Sequence, residues 1–140
     1  MSARTTHQPD SRHGRPRILH AGSTGMIVGG LVIAIGSLLP WVSTPLGSLS
    51  GTAGPGLWTL SAGMLAIAGA LIPFRRIALA HAVLPGLAVA VIALWQVARL
   101  VQLSATTAGW GTLLPGMGLV MAAGGAVIVL RAATRLRAAS

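Results

Sequence analysis

Few side chains in the apolar part of this chain can do chemistry, and their types decide what is left to consider. His81 is the titratable group that falls inside an apolar run, whereas Cys, Tyr and Lys are missing from the chain and the single carboxylate is Asp10. General acid–base work needs such a group within hydrogen-bond reach of the reacting atom, and His81 stands apart from the loop serines. No catalytic residue is assigned, and the expectation is a protein that is not an enzyme. A proton relay from His81 is broken, because the same helical face carries Pro85, Ala88 and Ile92 before Arg99, about 27 Å further along the axis. The expected state of His81 is a side chain bonded to backbone or to a headgroup at the inner interface.

Gln96 and Arg99 lie one helical turn apart beside Trp95. An arginine with an amide donor next to it suits an anion or a lipid phosphate, and snorkelling to the headgroups is the alternative. Met64, Met117 and Met121 are thioethers with no Cys beside them, so core filling is expected over Cu(I) binding, with Met64 and Met117 at matching depth in two helices. His7, His13 and His20 sit in a polar segment, and Gly54-Pro55-Gly56 opens a helix whose free N–H groups suit an anion. Neither a metal site nor a cofactor is assigned.

The elements that must position these residues are apolar and long. Hydrophobic residues make up 54% and charged ones 8% of the 140 residues, with mean hydropathy +0.79, too apolar for a soluble domain of this size. Residues 1–20 read as a disordered basic cytoplasmic leader. A transmembrane domain at 21–132 follows, with spans at about 23–41, 57–74, 77–99 and 111–130, and then a cytoplasmic tail at 133–140. The expected fold is therefore all-α, a four-transmembrane-helix bundle with both termini cytoplasmic. Pro73-Phe74-Arg75-Arg76 forces a tight hairpin between the second and third spans. Pro85 interrupts the third span, and Pro115 falls in the first turns of the fourth.

All the basic side chains are Arg, and all but Arg99 flank the spans: Arg4, Arg12, Arg15 and Arg17; Arg75 and Arg76; Arg131, Arg135 and Arg137. This is the positive-inside pattern of a plasma-membrane (inner-membrane) multi-pass protein. Contact with anionic lipids accounts for the net charge of +9 without nucleic acid, whose binding would interleave aromatic residues among the basic ones. In that orientation Trp41, Trp58, Trp95 and Trp110 gather at the outer interface, as an aromatic belt or as the wall of an outward-facing apolar pocket. Trp95, Gln96, Arg99, Trp41, Trp58 and Trp110 form the candidate lipid, anion or partner site.

Residues 59–64 and 112–117 share Thr, Leu, Gly and Met in register, which suggests a parallel two-helix repeat. Small residues at i, i+4 spacing recur on every span: Gly25 and Gly29, Gly30 and Ala34, Ala62 and Ala66, Ala82 and Gly86, Gly118 and Ala122. Such stripes let helix backbones approach closely in lipid.

Leu38-Leu39-Pro40-Trp41-Val42, the Ser/Gly/Thr-rich loop into Gly54-Pro55-Gly56, and the Gly63-bearing helix resemble the small four-helix membrane proteins of high-GC Gram-positive bacteria. The resemblance covers most of residues 25–130. It implies an inner-membrane tetraspan and brings no activity and no functional residue. Small multidrug exporters are also short four-helix proteins, but their coupling depends on a glutamate in the first helix, and this chain has none there. The functional expectation is an accessory or assembly subunit packed against a larger membrane complex; the alternative is a small homo-oligomeric carrier or channel for a neutral or lipid-like solute.

Overall fold

The computed structural model describes residues 22–106 and 114–138, and its elements stop where proline and glycine dictate. Helix α1 (Ser23–Leu38) ends ahead of Pro40, whose nitrogen carries no hydrogen. The chain then enters strand β1 (Pro40–Thr44), turns through Pro45-Leu46, and returns as β2 (Gly47–Ser50). Gly47 takes φ +144°, which L side chains rarely adopt, and the Thr44 hydroxyl donates to the Gly47 carbonyl at 2.8 Å to close the turn. A 3-10 turn (Gly51–Ala53) leads into α2 (Gly56–Ala70). Residues 71–74 link α2 to α3 (Arg75–Thr106), and strand β3 (Leu114–Pro115) precedes α4 (Met117–Ala138). The sheet is antiparallel in the order β2-β1-β3, pairing Val42 with Leu49 on one side and Pro115 on the other.

The described part is mostly helical, with four helices, yet the small sheet departs from an all-α expectation. Helix lengths also correct the four expected spans. Helices α3 and α4, with 32 and 22 residues, are long and apolar enough to cross a membrane, whereas α1 and α2 have 16 and 15. A 30 Å hydrocarbon layer calls for about 20 helical residues. The expected first span, 23–41, is cut short by Pro40. The fourth, 111–130, begins only at Met117, because Pro115 is paired in β3 instead of sitting in a first helical turn. Helix α4 then runs on to Ala138, so most of the expected tail is helix. Met64 lies in the middle of α2 while Met117 opens α4, so the suggested repeat does not place them at matching depth. The leader 1–20 lies outside the described residues.

The helices pack as a ring, α1 on α2 and α4, and α3 on α2 and α4. Glycines sit at the crossings and oppose one another. A Cβ added at Gly29 would come 2.9 Å from the Gly125 carbonyl oxygen, and one at Gly125 would come 2.8 Å from that of Gly29. Gly30 and Gly63 repeat the arrangement between α1 and α2, at 2.7 and 2.8 Å from each other's carbonyl oxygens. Backbone approach this close is what associates helices when water gives no drive between them. The larger buried side chains, Met26, Ile33, Val89, Leu119 and Val129, fill the spaces between these contacts.

Two buried hydroxyls inside the bundle are partnered. Ser37 and Thr59, both 0% exposed, join α1 to α2 through hydroxyl oxygens 2.7 Å apart, and each hydroxyl also reaches a carbonyl of its own helix, Ile33 at 2.7 Å and Gly56 at 2.9 Å. The end of α1 is completed from elsewhere in the chain. The Gly36 carbonyl would ordinarily accept from residue 40, which is proline, and the Trp41 indole N–H donates to it instead at 2.9 Å. Gly51 N–H donates to the Leu39 carbonyl at 3.0 Å, and Gly116 N–H to that of Trp41 at 2.7 Å.

Candidate functional site

Five described arginines, Arg75, Arg76, Arg131, Arg135 and Arg137, belong to the end of the bundle where α3 begins and α4 finishes; Arg99 belongs to the opposite, sheet-capped end. At the first end, Arg75 donates to the Leu136 carbonyl and, at 3.2 Å, to that of Arg137, placing a cation at the negative end of the α4 dipole.

At the sheet-capped end, a recess of about 350 Å³ opens between the β1–β2 hairpin and α3. Trp41 and Val42 of β1, Leu49 and Ser50 of β2, the 3-10 turn, and Gly54-Pro55 ahead of α2 form one wall; Trp95, Gln96 and Arg99 form the other. Four of the six residues expected at a site, Trp41, Trp95, Gln96 and Arg99, therefore line one space. The other two do not join them. Trp58, in the first turn of α2, is 76% exposed and outside the recess, and Trp110 lies outside the described residues.

The tryptophans differ in role. Trp41 is 2% exposed, so it belongs to the core and is not a member of an interfacial belt. Its burial follows from the missing N–H of Pro40, which its indole replaces. Trp95 is half exposed and carries the Arg99 guanidinium over its ring, 5.6 Å from the centroid.

The electrostatics of the recess have one sign. Gly54 and Pro55, which precede α2, form part of its wall, and Arg99 is the one charged residue among the described residues that line it. Gln96 supplies an amide, and the Ser50 hydroxyl is 2.8 Å from that of Thr52. The lining offers no His, Asp, Glu, Lys, Cys or Tyr. The arrangement suits holding an anion and provides no general base of its own.

The remaining candidates disperse. His81 is half buried against Gly69 and its Nδ1 donates to the Ile77 carbonyl at 2.9 Å, an attachment to its own helix. Among the described residues no three His, Asp or Glu side chains come together, and His7, His13 and His20 lie outside them. A second recess, about 220 Å³, lies at the other end between the start of α1 and Arg131 and Arg135. A third, about 240 Å³ and almost wholly apolar, runs between α3 and α4 beside Ala90, Ala93, Ala123 and Val127.

Sequence reasoning missed the hairpin that forms half of the main recess. Its signal was present: Trp41 to Thr44 and Leu49-Ser50 flank Pro45-Leu46-Gly47, a turn between two short strand-like runs. No family model, curated protein or solved structure matches the chain.

Proposed function

We propose that this chain is a non-catalytic integral membrane protein, with α3 and α4 crossing the bilayer, α1 and α2 embedded beside them, and the arginine-rich end on the cytoplasmic side. The observation that carries the reading is the amount of large apolar surface left outside the bundle. Leu84, Val91 and Leu94 of α3 are 67, 63 and 71% exposed. The most apolar windows of α3 and α4 are only 33 and 44% buried, where the core helix of a soluble protein is mostly buried. Exposed apolar surface on this scale calls for a lipid or protein partner. The charges fit the same frame: Arg76 and Arg99 bracket the apolar part of α3, about 35 Å apart along the axis, close to the hydrocarbon thickness plus an interface. The β1–β2 hairpin then stands at the outer interface and completes the shorter α1 and α2.

Within that membrane frame the protein acts as an accessory or assembly subunit of a larger complex. Most of the small-residue stripes are used inside the bundle, which leaves the α3–α4 groove, with Gly124 open beside it, as the lateral face for a partner helix. The outer recess favours one other reading, a homo-oligomeric carrier of a lipid-like solute. Affinity purification from the native membrane in mild detergent, followed by native mass spectrometry, separates the two. A stoichiometric protein partner is expected; a defined homo-oligomer without one would overturn the subunit reading.

A further inference from the structure

The recess at the sheet-capped end carries one charged side chain, Arg99, and no carboxylate among the described residues that line it. Among the described residues Arg99 meets no carboxylate, and its guanidinium carbon lies 5.6 Å from the centroid of the Trp95 ring. The planar N–H fork of a guanidinium is the geometry that receives two oxygens of one anion. Gln96, one turn from Arg99 on α3, adds a neutral donor.

We propose that this recess binds a phosphate group, with Arg99 pairing two of its oxygens and Gln96 donating to a third. The volume of about 350 Å³ accommodates a phosphate and the short alcohol esterified to it. Trp41 and Val42 form an apolar floor for that alcohol's carbon atoms. Phosphate is the anion that an outer-interface position meets at high concentration, as the diester of a lipid headgroup. The choice of source rests on the membrane reading above; the choice of chemistry rests on the recess alone.

The test uses the full chain in detergent micelles with two phosphate probes, phosphatidylglycerol and inorganic phosphate, and with diacylglycerol as the lipid lacking phosphate. Native mass spectrometry should find one phosphatidylglycerol retained by the wild type and no diacylglycerol. Arg99→Gln should weaken retention by about tenfold or more, the loss of one charge-assisted contact. Arg99→Lys, which keeps the charge without the fork, should fall between, and Arg135→Gln, at the other end, should match wild type. If inorganic phosphate displaces the lipid, or binds by itself in an Arg99-dependent way, the recess reads phosphate from either source. Retention without such competition makes the headgroup the source. Equal retention by wild type and Arg99→Gln, with no Arg99-dependent binding of inorganic phosphate, overturns the proposal. Should Arg99→Gln fail to fold by circular dichroism, Gln96→Ala decides in its place: a several-fold loss is expected, and no change overturns it. If the protein leaves native membranes in alkaline carbonate, the membrane reading fails, and the inorganic phosphate arm still judges the recess.

Discussion

Gly124 and Gly125 are neighbours on α4 that face opposite surroundings, and substituting each by alanine isolates the packing term. Both changes bring the same gain in helix propensity, about 1 kcal/mol, so their difference reports contact alone. A Cβ at Gly124 meets nothing within 4 Å. One at Gly125 lies 2.8 Å from the Gly29 carbonyl oxygen and 2.9 Å from Ile33 N, both backbone atoms that no rotamer can move. Ordinary contact begins at 3.4 Å, so α1 and α4 must part by 3.4 − 2.8 = 0.6 Å at that point. A gap of that order forfeits roughly a quarter of the dispersion energy at each affected contact, and overpacking of this kind costs about 1–3 kcal/mol. Titration of the detergent-solubilised protein with sodium dodecyl sulfate, followed by tryptophan fluorescence, should place Gly125→Ala about 1–3 kcal/mol below Gly124→Ala. Coincident midpoints for the two variants would refute the close glycine crossing of α1 and α4.

Three other substitutions probe polar contacts inside the fold. Trp41→Phe leaves the buried Gly36 carbonyl without a donor and puts a smaller ring in the core, and the same titration should show a loss of about 2–4 kcal/mol. Thr59→Val keeps the shape and removes the hydroxyl shared with Ser37; a loss of about 1 kcal/mol is expected, and Ser37→Ala made on top of it should add little. Arg75→Gln removes the cation over the last carbonyls of α4 and should lower the midpoint by about 1 kcal/mol, by less when salt is raised.

Much of this architecture was legible in the residues. Apolar runs bounded by arginine located four helices, and small residues at i, i+4 marked the faces that meet. Trp95, Gln96 and Arg99 were legible as a unit because one turn of helix holds them. Helix ends were not, because they depend on partners distant in sequence. Pro115 reads as a first-turn residue until its pairing with Val42 is known, and Trp41 reads as interfacial until the carbonyl left unpaired by Pro40 is seen to need it. Trp58 and Trp95 share a residue type and an end of the bundle, but only Trp95 faces the hairpin, and periodicity could not tell them apart. The hairpin itself is short and irregular, with a bulge between Pro40 and Val42, so its alternation is too brief to stand out against apolar neighbours.

The central claim is that the sheet-capped end and the arginine-rich end lie on opposite sides of a membrane. The chain has no cysteine, so Ser48→Cys in β2 and Thr134→Cys near the end of α4 each introduce a single, exposed thiol. Intact cells treated with a membrane-impermeant maleimide should label the first, and the second should react only after the membrane is opened. Equal labelling of both before permeabilisation would contradict the account.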